Sequence, residues 1–382
     1  MIKSKKKICI ITSSRAEFGL LSRLIKKIQK NSSVYLIVTG SHISKAFGNT
    51  ISEIKKEKIK IFKKIKISLN DDSEKGISSA ISETITKFEN IFQNLKPDLL
   101  LVLGDRYEIF SAVIAASIHR ITIGHIHGGE TTINSLDNYF RHSISIMSHL
   151  HFVAHKKYKN RVINLGKNSK NIFVVGGMGA ANLQKISFNK KNKSNYYVCI
   201  FHPETLKKDY GIKMMKTTIN FFSKNKKEKF IFFRPNADTK NKAILNLIQN
   251  SVKKCKNFQY INSINYNSFI KLIANSKGIL GNSSCGILEA PSLKIPTINI
   301  GFRQKGRLKS KSIVDCKGDT KSLEKAFKKI NSPEFKNTLK KTINPYYYGD
   351  SSQKIFNILS NDKTYKDISL VKFFNTNIDN TS

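Results

Sequence analysis

No apolar run in this 382-residue sequence approaches the roughly 20 residues that a membrane-spanning helix requires. The basic start MIKSKKK leads into a short KICIIT run and then polar SSRAE, so a signal-peptide core with a small-residue cleavage site is not expected. The five cysteines (Cys9, Cys199, Cys255, Cys285, Cys316) lack CxxC or other paired spacing. Cys9 and Cys199 fall inside apolar, strand-like runs, which suits buried thiols in a reducing cytoplasm better than disulfides.

Acidic residues are also scarce, 26 against 67 basic ones, for a net charge of +41. That sum resembles a nucleic-acid signature, but its distribution argues otherwise. The lysines accompany abundant Ile and Asn, the residues an AT-rich genome favours. They spread over the faces 25–30, 55–66 and 224–229 rather than forming one stripe interleaved with aromatics. No specific nucleic-acid partner and no membrane partner is expected. Arginine is the rare cation, 9 of the 67. Six of them (Arg15, Arg106, Arg141, Arg234, Arg303, Arg307) occupy short stretches that stand out for other reasons. A composition that prefers Lys but uses Arg there points to sites needing a fixed planar fork for anions.

Strand and helix signals alternate along the chain. Residues 7–12 read as a buried strand, and 17–29 as a helix with Phe18, Leu21, Leu24, Ile25 and Ile28 on one face. Arg15 then sits near a helix N-terminus, where free N–H groups and the helix dipole favour anions; such an arginine can also merely cap. Residues 34–38 form a second strand, followed by a helical segment to about 58. An exposed alternating strand is expected over 59–67, a polar loop over 70–76 and an amphipathic helix over 77–95. The economical fold class is α/β with a doubly wound parallel sheet.

The stretch 99–151 organises the rest. Two apolar runs, 99–103 and 121–126, look like buried parallel strands. Their carboxyl ends, where open α/β sheets hold ligands, gather Asp105, Arg106, Glu108, His125, His127, Glu130, Asp137, Arg141 and His142. His125 and His127, at i and i+2, could share one strand face. An HxH pair can bind metal, but no cysteine and no carboxylate at zincin spacing completes a set, so no metal is expected. Gly128-Gly129 permits a tight turn that swings Glu130 over the strand ends. Residues 137–147 read as a helix, in which Asp137 could be only a cap and Arg141 only its partner.

Near 171 the rhythm restarts with IFVVGG, then a polar linker over 185–195. A strand over 196–201 ends at His202, and another over 230–233 runs into Arg234-Pro235-Asn236-Ala237-Asp238. Residues 279–280 lead into GNSSCGILEAP. There the small residues around Asn282, Ser283, Ser284 and Gly286 would let helix amides approach a diphosphate, with serine hydroxyls as further donors. Glu289 could accept hydrogen bonds from a ribose. A plain serine-capped helix is the alternative. A strand over 295–300 leads to the cationic loop GFRQKGR, which carries Arg303.

Seven motifs then stand in one order: TSSRAEFGLL, LGDRYE, HIHGGE with its following D and RH, SHLHF, GNSSCGILEAPS, PTINIGFRQKGR and NPYYYGD. Over roughly residues 7–358 the chain resembles the hydrolysing UDP-N-acetylglucosamine 2-epimerases of sialic-acid-type sugar synthesis. The resemblance implies two Rossmann-like domains with parallel sheets facing a central cleft, the glycosyltransferase-B architecture, in a cytoplasmic homodimer without cofactor or metal. It places the domains at about 1–180 and 181–360, with a helix near 350–360 packing back on the first and a tail over 361–382. It implies a nucleotide-sugar substrate that expels its diphosphate from C1, passes through a 2-acetamidoglucal and takes up water as the free 2-epimer.

By the same resemblance Asp105, Glu130 and Asp137 are the acid/base candidates, assisted by His127 and His142. Arg15, Arg106, His202, Asn282, Ser283, Ser284, Gly286, Glu289 and Arg303 match substrate and nucleotide positions. This chain departs from its relatives in places. Some read HIE where it has His127, the turn TTINSLDN lacks their glycine and second acidic residue, and Ile146-Met147 replaces a lysine. The base at C2 therefore stays open among His127, Glu130 and Asp137. The nucleotide (uridine or guanosine) and the C4 substituent (hydroxyl or acetamido) stay open too. A glycosyltransferase of the same architecture, needing an acceptor, is the rival class.

Overall fold

A computed structural model describes residues 5–183 and 194–365. The linker expected over 185–195 thus falls almost wholly outside the described residues, as does most of the expected tail. In the first half, seven strands form one sheet: β1 (Lys7–Thr12), β2 (Ser33–Thr39), β3 (Ile61–Ile65), β4 (Leu99–Leu103), β5 (Ile123–Ile126), β6 (Leu150–Val153) and β7 (Ile172–Val174). Their order is β3-β2-β1-β4-β5-β6-β7, and every pairing is parallel. The second half repeats the plan with β8 (Tyr196–Ile200), β9 (Lys229–Phe233), β10 (Phe258–Ile261), β11 (Gly278–Gly281), β12 (Thr297–Ile300) and β13 (Ile313–Cys316). These run β10-β9-β8-β11-β12-β13, again all parallel.

Pleating explains why the central strands read as continuous apolar runs. Ile8 and Ile10 of β1 pack under the helix Arg15–Ile28, whereas Cys9 and Ile11 face the helices Glu74–Leu95 and Tyr107–Ile118. β4 divides likewise, Leu99, Leu101 and Leu103 on one side, Leu100 and Val102 on the other. A sheet covered on both faces leaves no solvent side to carry polar residues. β3, at the edge, exposes Phe62, Lys63 and Lys64. Cys9 and Cys199 are buried in β1 and β8, and all five cysteines are free.

Local differences have physical causes. The first helix starts at Arg15 rather than 17, because Ser14 caps it by accepting the Glu17 N–H. The helical segment expected before 58 is broken into the 3-10 turns Gly40–His42 and Lys45–Phe47 and the short helix Ile51–Lys56. His42 causes the break: its buried ring is held between the hydroxyls of Thr12 at 3.0 Å and Thr50 at 2.8 Å.

Strand order reverses between β1 and β4, and again between β8 and β11, which opens a crevice at the carboxyl ends of each sheet. The two crevices face one another. The Leu136 N–H donates to Thr205 Oγ1 at 2.8 Å, and the Ile133 N–H to the Lys305 carbonyl at 3.2 Å, joining the domains. The last long helix, Ser351–Ser360, returns to the first domain and buries Ile355 and Leu359 against the helix Arg15–Ile28. Among the described residues no helix is long and apolar enough to cross a membrane.

Candidate active site

A cavity of about 220 Å³ lies between the opposed sheets. From the first domain it is bordered by Arg15, at the start of its helix, and by Asp105 and Arg106 just beyond β4. Asp137 and Arg141 reach it from the helix Asp137–Met147. From the second domain come His202 after β8, Ser283, Ser284 and Glu289 after β11, and Arg303 and Arg307 after β12. Nine of the residues expected at the site thus meet in one cleft.

Two aspartates face that cleft with opposed proton affinities. Asp105 forms an ion pair with Arg141, whose guanidinium is 1% exposed and also donates to the Glu130 carbonyl and Thr132 Oγ1, both at 3.1 Å. Burial pushes the Asp105 carboxyl up, but Arg141, Arg307 and Arg303 outweigh it and hold the group below its usual range. Asp137 goes the other way: burial, and then the neighbouring Asp105 charge, push it up to about 6 despite Arg303. Arg303 Nη2 reaches across the domains to Asp137 Oδ2 at 2.7 Å. The local expectation that Asp137 caps its helix and pairs with Arg141 therefore fails. Leu136 is the cap residue, and each member of the supposed pair takes a partner elsewhere.

Glu130 and His127 stand behind the cleft rather than in it. Glu130 is fully buried, with Arg307 Nη2 at 2.8 Å from Oε2 and His127 Nδ1 at 3.2 Å from Oε1. Burial alone would raise its carboxyl; Arg307 and the His127 hydrogen bond reverse that and bring it to about 2. The shared face expected for His125 and His127 does not exist. β5 ends at Ile126, and His127 adopts a left-handed φ of +67° that breaks the alternation. His125 is spent on Ser145 Oγ at 3.0 Å and the Gly104 carbonyl at 2.8 Å. His127 Nε2 accepts the Met178 N–H at 3.0 Å, which leaves its proton on Nδ1 toward Glu130. His142 does not border the cavity, and burial, Arg141 and Arg161 lower it to about 4.

On the second domain, His202 Nδ1 accepts the Asn236 N–H at 3.1 Å, so Nε2 carries the proton. Burial, with Arg303 and Arg106 nearby, keeps the ring neutral. A neutral donor there can bind an anion without titrating. Asn282 is a brace instead of a contact: its amide exchanges both hydrogen bonds with the His202 backbone, at 2.7 and 2.8 Å. Gly286 is a packing residue, since a Cβ there would lie 2.7 Å from Thr297 Cγ2. Gly281 is required more strictly: at φ +131° its missing Cβ would fall 2.1 Å from the Ile200 carbonyl oxygen. Ser284 precedes the short helix Cys285–Leu288 without capping it, so the plain serine-cap alternative does not hold. Burial raises Glu289 to about 7, against the pull of Arg307.

Three further groups, none of them among the site residues that the resemblance marks, also shape the cleft. Arg307 stood out in the sequence as one of the six arginines in conspicuous stretches, with no role of its own. Asp238 closes FRPNAD and lies 3.5 Å from Arg106 and 3.9 Å from Arg303. Glu108 grips Arg106 through both oxygens, each at 3.1 Å. The preference for Arg over Lys at these places was the available signal, because a two-pronged grip needs the guanidinium fork.

The family described as UDP-N-acetylglucosamine 2-epimerase matches residues 26–360. The polysialic acid biosynthesis protein P7 of Escherichia coli is 37% identical over 381 residues, 95% of this chain and 97% of that protein. The GDP/UDP-N,N'-diacetylbacillosamine 2-epimerase (hydrolyzing) of Campylobacter jejuni is 39% identical over 349 residues, 87% and 89% of the two chains. The fold is shared with the Methanocaldococcus jannaschii UDP-GlcNAc 2-epimerase solved with UDP-GlcNAc and UDP: TM-score 0.78 at 21% identity, covering 93% of this chain and 99% of that one. With that match spanning most of its length, the chain belongs to the UDP-N-acetylglucosamine 2-epimerase family.

Proposed function

We propose that the chain is a hydrolysing nucleotide-sugar 2-epimerase, converting UDP-N-acetylglucosamine and water to N-acetylmannosamine and UDP in nonulosonic acid biosynthesis. The observation that carries this reading is the aspartate pair: Asp105 is held ionised and Asp137 holds its proton toward neutrality, both facing the cleft. Groups whose environments separate their proton affinities suit the two halves of acid/base work.

The C2 hydrogen of the sugar has no adjacent carbonyl, so it becomes acidic only as the C1–O bond to the diphosphate breaks. Asp105 takes that hydrogen while its electron pair forms the C1=C2 bond and UDP leaves. Arg15, Arg303, the two serine hydroxyls and the His202 Nε2–H receive the developing phosphate charge. Asp137 then delivers its proton to C2 from the opposite face, water adds at C1, and Asp137 recovers a proton from that water. Asp105 returns its proton to solvent. Removal from one face and delivery to the other inverts C2.

A second substrate reading has a specific observation behind it. The Campylobacter jejuni relative is named for GDP/UDP-N,N'-diacetylbacillosamine, and the same steps apply to that sugar. Incubation with each nucleotide sugar, followed by NMR and mass analysis, tests both. Free 2-epimer and nucleoside diphosphate without an acceptor are expected. An intact epimerised nucleotide sugar, or turnover only with an acceptor, would sink the hydrolytic reading.

The pH profile should carry Asp137's signature. Because the acid form is the working one, kcat/KM should fall as pH rises through about 6, the value for the free protein. In kcat the same limb should lie higher, since the bound diphosphate adds negative charge beside Asp137 and favours its protonated form. Steady-state rates from pH 5 to 9 check this; a falling limb at the same pH in both parameters would count against Asp137 as the acid.

A further inference from the structure

Arg307 borders the cleft, and its fork is held across the domain boundary by a carboxylate that lies outside the cleft. Its Nη2 meets the fully buried Glu130 at 2.8 Å, and its Nη1 donates to Gln304 Oε1 at 2.7 Å. Gln304 is fixed in turn by donating to the Asn282 carbonyl at 2.8 Å. The guanidinium is 8% exposed and borders the cavity, and its Nε–H is buried without a hydrogen-bond partner. By contrast, neither Arg15 nor Arg234 has an ion-pair partner among the described residues; they bond neutral oxygens of Ser263, Ile264 and Asn262.

That contrast divides the work. An arginine with no ionised carboxylate beside it, as Arg15 is and as Arg303 comes closer to being when Asp137 is protonated, presents more of its charge to a diphosphate. One already neutralised by a carboxylate keeps a directional donor but little net field, which suits an uncharged acceptor. Arg307 also lies close enough to act electrostatically on Asp105, the proposed base at C2. The substituent on that carbon is an acetamido group, whose carbonyl oxygen is an uncharged acceptor.

We propose that Arg307 is a specificity-determining residue that takes the carbonyl oxygen of the C2 acetamido group, with Glu130 as its positioning residue. The proposal rests on the substrate class given above and names the group in that substrate which is read. It predicts that the site rejects sugars carrying a hydroxyl at C2, because the buried donor would then lack its acceptor.

The test is calorimetric binding of UDP, UDP-N-acetylglucosamine and UDP-glucose, in an Asp105→Asn background that slows turnover by about 10²-fold or more. With Arg307 present, UDP-N-acetylglucosamine should bind about tenfold or more tighter than UDP-glucose. In Arg307→Met with Glu130→Gln, which removes both partners and leaves no buried charge, that ratio should fall toward one while UDP affinity stays within about twofold. Arg307→Lys keeps Glu130 paired and should also lose most of the ratio; it serves if the double variant does not fold. An unchanged ratio in these variants, or a parallel loss of UDP affinity that marks a phosphate contact, overturns the proposal. So does a ratio near one before Arg307 is changed. Failure to find free epimer in the product assay would instead strike the proposed reaction and leave these binding ratios standing.

Discussion

Asp105→Asn should lower turnover by about 10²-fold or more, the usual scale for losing a positioned base. The substitution keeps size and leaves an amide oxygen for Arg141, which also retains the Glu130 carbonyl and Thr132 Oγ1. The fold should therefore survive. UDP affinity should change little, because the donors assigned to the diphosphate come from Arg15 and the second domain. Ser284→Ala should do the reverse, weakening UDP binding by roughly 0.5–1.5 kcal/mol for a lost hydrogen bond. Turnover numbers beside calorimetric UDP binding distinguish the cases. If Asp105→Asn abolished UDP binding while Ser284→Ala left it intact, the two domains would have exchanged roles.

Glu130→Gln should act mainly on stability. Glu130 is fully buried and supplies the only carboxylate among the described residues within ion-pair distance of Arg307. Removing one member of a buried pair leaves an uncompensated charge, at a cost of about 3–5 kcal/mol. The sign of the pH dependence follows from its depressed carboxyl, about 2 in the folded protein against an ordinary 4.5. Its stabilising contribution is fully present above the unfolded value and is lost as pH falls through the folded one. The gap in denaturant midpoint between parent and variant should hold above about pH 5 and narrow between 4.5 and 2. A midpoint unchanged at pH 7 would mean that the pair contributes nothing to the fold.

What the sequence disclosed follows from which interactions are local. β1, β4 and β8 were legible because both faces are buried and every position must be apolar. Arg15, Asp105 and Ser283 were legible because a doubly wound sheet puts its crevice beyond β1, β4 and β11. β13 was not, since an edge strand with Asp315 exposed carries neither a continuous run nor a clean alternation. The roles of Arg307 and Asp238 were not legible because their partners lie in the other domain or across the cleft, far away in sequence. His127 misled for a different reason: strand periodicity holds only while the strand does, and one left-handed residue turned its ring toward Met178 and Glu130. Glu130 was pictured over the strand ends, whereas Gly129 at φ +75° folds the turn inward against Tyr158.

The most direct measurement of the central claim is the isotope content of products formed from UDP-N-acetylglucosamine in heavy water enriched in oxygen-18. Elimination followed by hydration predicts free N-acetylmannosamine with one deuterium at C2 and solvent oxygen at C1. The released UDP should carry no solvent oxygen, because the C1–O bond breaks and the O–P bond does not. A free sugar with hydrogen retained at C2, solvent oxygen in the diphosphate, or deuterium found only in recovered nucleotide sugar would contradict the account.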